Sequence, residues 1–181
     1  MDAEPDDVIR YWFDEIAPRQ WWTRDAEFDR ALAARFGALH GAATRCELSA
    51  WRDRPVGRLA EVIVIDQFSR NLYRDDPRSY AFDPLALCLA QEALRSGADQ
   101  ALPVAQRAFL YMPFMHSESA IIHARALELF GAPGLEANLR SERQHKAIID
   151  RFGRYPQRNR VLGRASTPDE LAFLARGDAS F

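Results

Sequence analysis

Three short segments carry residue types able to do chemistry. In Asp66-Gln67-Phe68-Ser69-Arg70-Asn71, Asp66 and Arg70 stand at i, i+4 and can pair on one helix face, with Gln67 and Asn71 beside them. In Met112-Pro113-Phe114-Met115-His116-Ser117-Glu118, Pro113 should break one helix and Ser117 cap the next. His116 and Glu118 then sit at a helix entrance, where free amides favour an anion and an imidazole can act as acid or base. The third segment runs from His145 to Thr167 and holds Arg151, Arg154, Arg158, Arg160 and Arg164, five arginines within 14 residues. Aromatics, Gly, Pro and Asn159 interleave them, which reads as an ordered loop. Forked guanidiniums match carboxylate and phosphate oxygens two at a time.

Each segment also has a plainer account. A solvated helix end resembles the first, and a hydrogen-bonded joint with a dipole-complementing charge resembles the second. For the third, pairing with the chain's own acidic N-terminal helix is as economical as a ligand. Residues 1–20 carry a net charge of −4 and residues 140–164 one of +6. Lys146 is the single lysine, and the other 23 basic residues are Arg, a bias that a GC-rich genome would also produce.

The 181 residues suit one domain, residues 1–181, with 48% apolar side chains to build a core. Basic and acidic residues, 24 against 26, nearly cancel, so a polyanion binder of histone type is excluded. Nucleic acid is not the expected partner, because no recognition helix or RNA-binding motif accompanies the arginines. Met1 to Asp7 has no positively charged leader, and no apolar run approaches the roughly 20 residues of a membrane span, so a cytoplasmic protein without membrane contact is expected. Cys46 and Cys88 are 42 positions apart and read as small packed hydrophobes in a reducing compartment. His40, His116, His123 and His145 show no metal-ligand spacing, and no cofactor motif is present; neither metal nor cofactor is expected.

Helical periodicity must position the three segments. Apolar stripes predict helices through Val8–Ile16, Asp25–His40 with Gly41 as a stop, and Pro55–Phe68. Further helices start at Asp83-Pro84 with Asp83 as cap, at Pro103, at Ser117 and at Leu135, and a capping box Thr167-Pro168-Asp169-Glu170 opens the last. Gly97, Gly131, Gly153 and Gly177 are the expected stops, and the terminal Asp178-Ala179-Ser180-Phe181 should pack back onto the body. The result is an all-α chain of about eight helices in antiparallel pairs.

The chain resembles the uncharacterised bacterial family catalogued as domain of unknown function nine-two-four. The resemblance rests on Tyr11-Trp12-Phe13, Trp21-Trp22, Asp66 to Asn71, Arg107 to Glu118, His145, Ile148 to Arg154, Arg158-Asn159 and Leu162 to Thr167. It implies a tetratricopeptide-like right-handed stack and no activity. Ser69 and Gln157 depart from the family, which has Pro and His there, and His123 stands where Gln is more usual.

Three functions follow as alternatives. The first is binding of a small carboxylate or phosphate by Asp66, Arg70, Asn71, His116, Glu118, Arg151, Arg154, Arg158, Asn159 and Arg164, with Trp21 or Trp22 as an apolar wall. The second is an enzyme acting on an anionic metabolite, with catalytic candidates His116, Glu118, His145 and Asp66. The third is a scaffold whose groove receives a peptide or protein.

Overall fold

The computed structural model describes residues 3–177, and among them every regular element is a helix or helical turn. Two compact units emerge, one of Met1–Arg74 with Arg78–Pro113, the other of Asp75–Pro77 with Phe114–Phe181. The expectation for Asp178 to Phe181 lies outside the described residues.

In the first unit, α1 (Pro5–Arg10) widens into a π-turn at Tyr11–Glu15, and α2 is Ala26–Thr44. The apolar run becomes α3 (Pro55–Ile63), a π-turn at Val64–Phe68 and α4 (Ser69–Leu72), followed by α5 (Asp83–Arg95) and α6 (Val104–Met115). Leu59, Val62, Ile63, Val64, Ile65 and Phe68 are all buried, with α1 and α5 packed on α3 and α2 packed on the π-turn and α4. The β-prone Val62–Ile65 stretch is thus helical because the surrounding helices cover it on every side, which outweighs its local preference.

The second unit holds the last residues of α6, then α7 (Ala120–Phe130) packed on α8 (Glu136–Phe152). A 3₁₀ turn at Pro156–Arg158 packs on α9 (Pro168–Ala175). Its core joins Ile148, Ile149, Tyr155 and Phe173, flanked by Phe152 and Leu174. The Thr167 capping box forms as expected: Glu170 N donates to Thr167 Oγ1 at 3.2 Å and Thr167 N to Glu170 Oε2 at 2.7 Å.

Several local expectations are corrected. Gly41 does not end α2, because continuing it buries Ala42 and Ala43. The stop is Cys46, left-handed at φ 59°, whose amide bonds Ala43 O while Glu47 N bonds Ala42 O. Pro113 does not break α6; it sits near the end, where only one backbone bond is forfeited. Asp83 is the first residue of α5 and turns its carboxylate to Arg70 instead of capping. Ser119, not Ser117, occupies the cap position of α7. Both cysteines are exposed, Cys46 at the helix stop and Cys88 on α5.

Candidate functional site

The polar end of the first unit's central helix is built from its own side chains. Asp66 is buried, and Arg70 Nη1 donates 2.6 Å to Asp66 O and lies 3.3 Å from Asp66 Oδ1. The predicted i, i+4 pair therefore forms, with Asp83 accepting from Arg70 Nη2 at 3.1 Å. Gln67 and Asn71 do not make one row: Gln67 Nε2 donates to Asp66 Oδ2 at 2.6 Å, whereas Asn71 Nδ2 donates to Asp29 Oδ1 at 2.8 Å beside Arg74.

Ser69, where the resemblance implies Pro, has its own task. Its hydroxyl donates to Ile65 O at 2.6 Å, so its oxygen accepts from His40 Nε2–H at 2.8 Å. That fixes the imidazole tautomer and leaves His40 Nδ1 buried without a hydrogen-bond partner. Burial pushes His40 down to about 4, so the ring is neutral near pH 7.

The remaining candidates belong to the second unit. Glu118 holds Arg164 through two bonds, Nη1 to Oε2 at 2.6 Å and Nη2 to Oε1 at 2.9 Å, and also accepts from Tyr155 N at 2.8 Å. Burial pulls Glu118 upward, but Arg164, the Tyr155 amide and the Arg158 charge outweigh it and hold the carboxyl below its ordinary value. Glu170 grips Arg154 in the same way, at 2.7 Å and 2.8 Å, while Asn159 Nδ2 reaches Glu170 and Asn159 Oδ1 accepts from Arg164. The Arg154 bonds, aided by the Thr167 amide and Asn159 against the cost of burial, lower Glu170 to about 2. Arg154 and Arg164 thus pair with Glu170 and Glu118 from their own unit, so these partners come from the second unit and not from the N-terminal helix.

Arg158 is held differently. The residue is buried, Nη2 donates to His116 O at 2.9 Å, and its guanidinium lies 4.5 Å from the Tyr155 ring centroid. His145 meets the same ring edge-on at 5.7 Å, with Nδ1 2.8 Å from Ser141 O. Burial pushes His145 down to about 4; the Ser141 bond opposes this, and the nearby Arg158 charge adds to it. Arg151 lies over Phe152 and is exposed. The described contacts therefore join Glu118, Arg154, Asn159 and Arg164 through Glu170, and set His145 and Arg158 against Tyr155, with the His116 carbonyl on Arg158.

One pair escaped the sequence reading. His123 and Glu142 have no exposed surface, and His123 Nδ1 is 2.7 Å from Glu142 Oε1. Tyr155 O–H donates to Met115 O at 2.5 Å, so the 3.2 Å contact with His123 must be Nε2–H donating to Tyr155, shared with Ser117 O at 2.8 Å. Nδ1 and Glu142 Oε1 then share one proton between them. Burial raises the Glu142 pKa, and the His123 bond opposes that. The signal was available: His123 shares the buried stripe of Ala126 and Phe130, and Glu142 that of Leu135 and Ile149. Among the described residues no group of three or more His, Cys, Asp and Glu could hold a metal ion, and no helix is long and apolar enough to cross a membrane.

Comparison with known proteins gives kinship without an activity. The family described as bacterial protein of unknown function (DUF924) matches residues 8–178, and the chain belongs to that family. It is similar to the solved structure of a protein of unknown function from Agrobacterium tumefaciens, with 39% identity, a TM-score of 0.91, and coverage of 96% of this chain and 97% of that one. No curated protein matches it.

Proposed function

We propose that this DUF924 member binds a small oxyanion, a carboxylate or a phosphate, at the Tyr155-centred cluster of its second unit. The observation that supports the reading is the packing of the Arg158 guanidinium and the His145 ring against Tyr155, with Arg158 also bonded to His116 O. Around them Arg154 pairs with Glu170 and Arg164 with Glu118. Those two carboxylates are each taken up by a forked arginine, which fixes the loop that carries Arg158. In this reading Arg158 supplies the fork, His116 and His145 flank it, and Arg154, Asn159 and Arg164 act as the frame.

Thermal melting of the full chain in sulfate, phosphate and short dicarboxylates, against chloride at matched ionic strength, tests this. Saturable stabilisation that is lost in Arg158→Lys supports the site, because lysine keeps the charge and loses the fork. Equal response to every anion, or an unchanged response in the variant, contradicts it.

A further inference from the structure

We infer that the His123–Glu142 contact is a one-proton latch, which holds α7 on α8 while a proton lies between the two side chains and lets them part when that proton leaves. Ser117 O only accepts, so His123 Nε2 keeps its hydrogen, and the 2.7 Å between Nδ1 and Glu142 Oε1 needs one more. Without it a ring lone pair faces a carboxylate oxygen at that distance, with neither side chain exposed. Glu142 Oε2 is buried too and has no hydrogen-bond partner, so ionisation leaves a buried charge with neither oxygen bonded.

The surrounding groups do not replace that hydrogen. On α8, Lys146 favours the ionised carboxyl but donates to Asp150, and His145 Nδ1 faces Ser141 O. On α7, Arg125 and Glu128 are exposed and paired with each other. From the loop after α8, Tyr155 O–H donates to Met115 O, and from the 116–119 connection Ser117 offers a carbonyl. Burial raises the Glu142 pKa against the pull of His123 and Lys146, so the latch is whole at low pH and is lost as pH rises. Both helices belong to the second unit, so release is confined there. The proton passes to solvent, and no covalent bond changes.

Amide hydrogen exchange of the full chain, read by mass spectrometry from about pH 5 to about pH 9.5, tests the latch, each rate being divided by its intrinsic rate at that pH. Protection of α7 and α8 should fall by up to about tenfold per pH unit as the proton is lost, while α3 in the first unit keeps its protection. Glu142→Gln has no carboxyl proton to lose and should keep α7 and α8 protected across the range. Constant protection in the wild type overturns the inference, and so does a fall that persists in Glu142→Gln. An equal fall in α3 shows unfolding of the whole chain and overturns it as well. Should the variant not fold, nitrogen NMR of the His123 ring in the wild type decides. Its signals must shift with the same midpoint as the loss of protection, and a ring unchanged across that loss overturns the inference.

Discussion

His123 Nδ1 lies 2.7 Å from Glu142 Oε1, and neither side chain has any exposed surface. This contact ties α7 to α8 from inside the second unit, with His123 Nε2 reaching on to Ser117 O and Tyr155. Glu142→Gln keeps a polar side chain of the same shape beside Nδ1 and should cost less than about 1 kcal/mol, whereas Glu142→Ala strands the ring beside a cavity and should cost about 3 kcal/mol. Urea unfolding midpoints measure the difference; equal losses would show that a carboxamide does not replace the carboxyl at this contact.

The same carboxyl gives a pH signature. Burial raises Glu142 above the 4.5 of a free glutamate, so the folded chain keeps a proton that the unfolded chain releases. Its contribution is whole below about 4.5 and declines as pH rises through the folded value. Wild-type stability relative to Glu142→Gln should therefore fall with rising pH from the mildly acidic range upward.

His40 and His145 act in the opposite direction. Each is held down to about 4, against 6.5 for a free imidazole, so the unfolded chain binds protons that the folded chain refuses. Their contribution is whole above about pH 6.5 and is lost as pH falls toward 4, by at most about 1.4 kcal/mol per pH unit for each ring. His40→Gln should remove about one proton's worth of that slope in an acid titration of urea stability. An unaltered slope would place the His40 pKa near that of free imidazole.

Arg154 and Glu170 fasten the arginine loop to α9, and the Thr167 capping box uses the same carboxylate. Thr167→Ala should cost about 1 kcal/mol. Glu170→Gln should cost about 2 kcal/mol, because it removes a charged acceptor from Arg154. Because Glu170 is lowered to about 2, its contribution is present above the ordinary carboxylate range and is lost as pH falls from about 4.5 toward 2. A Glu170→Gln variant as acid-sensitive as the wild type over that interval would refute the assignment.

Local chemistry was legible from residue order and tertiary pairing was not. The Thr167 box, the left-handed stops at Gly97 and Gly153, and the Asp66–Arg70 pair all depend on neighbours within a helical turn or two. Glu118 meets Arg164 across 46 positions and Tyr155 meets Met115 across 40, which no local pattern encodes. Gly41 misled because burial of Ala42 and Ala43 outweighs the weak stop it supplies, and Pro113 because it falls near the end of α6, where buried Phe114 and Met115 follow it. The buried His123 and Glu142 could have been found as polar residues on otherwise apolar stripes, the pattern that helical periodicity is suited to expose.

The anion site can be tested by seeing where an oxyanion sits. Crystals of the full chain soaked in selenate, at about neutral pH and again under mildly acidic conditions, locate the ion by its anomalous scattering. The account predicts a selenate within about 3 Å of the Arg158 guanidinium and in contact with His116 or His145. Selenate bound only at other surfaces, with the Arg158 cluster vacant at saturating concentration, would contradict it.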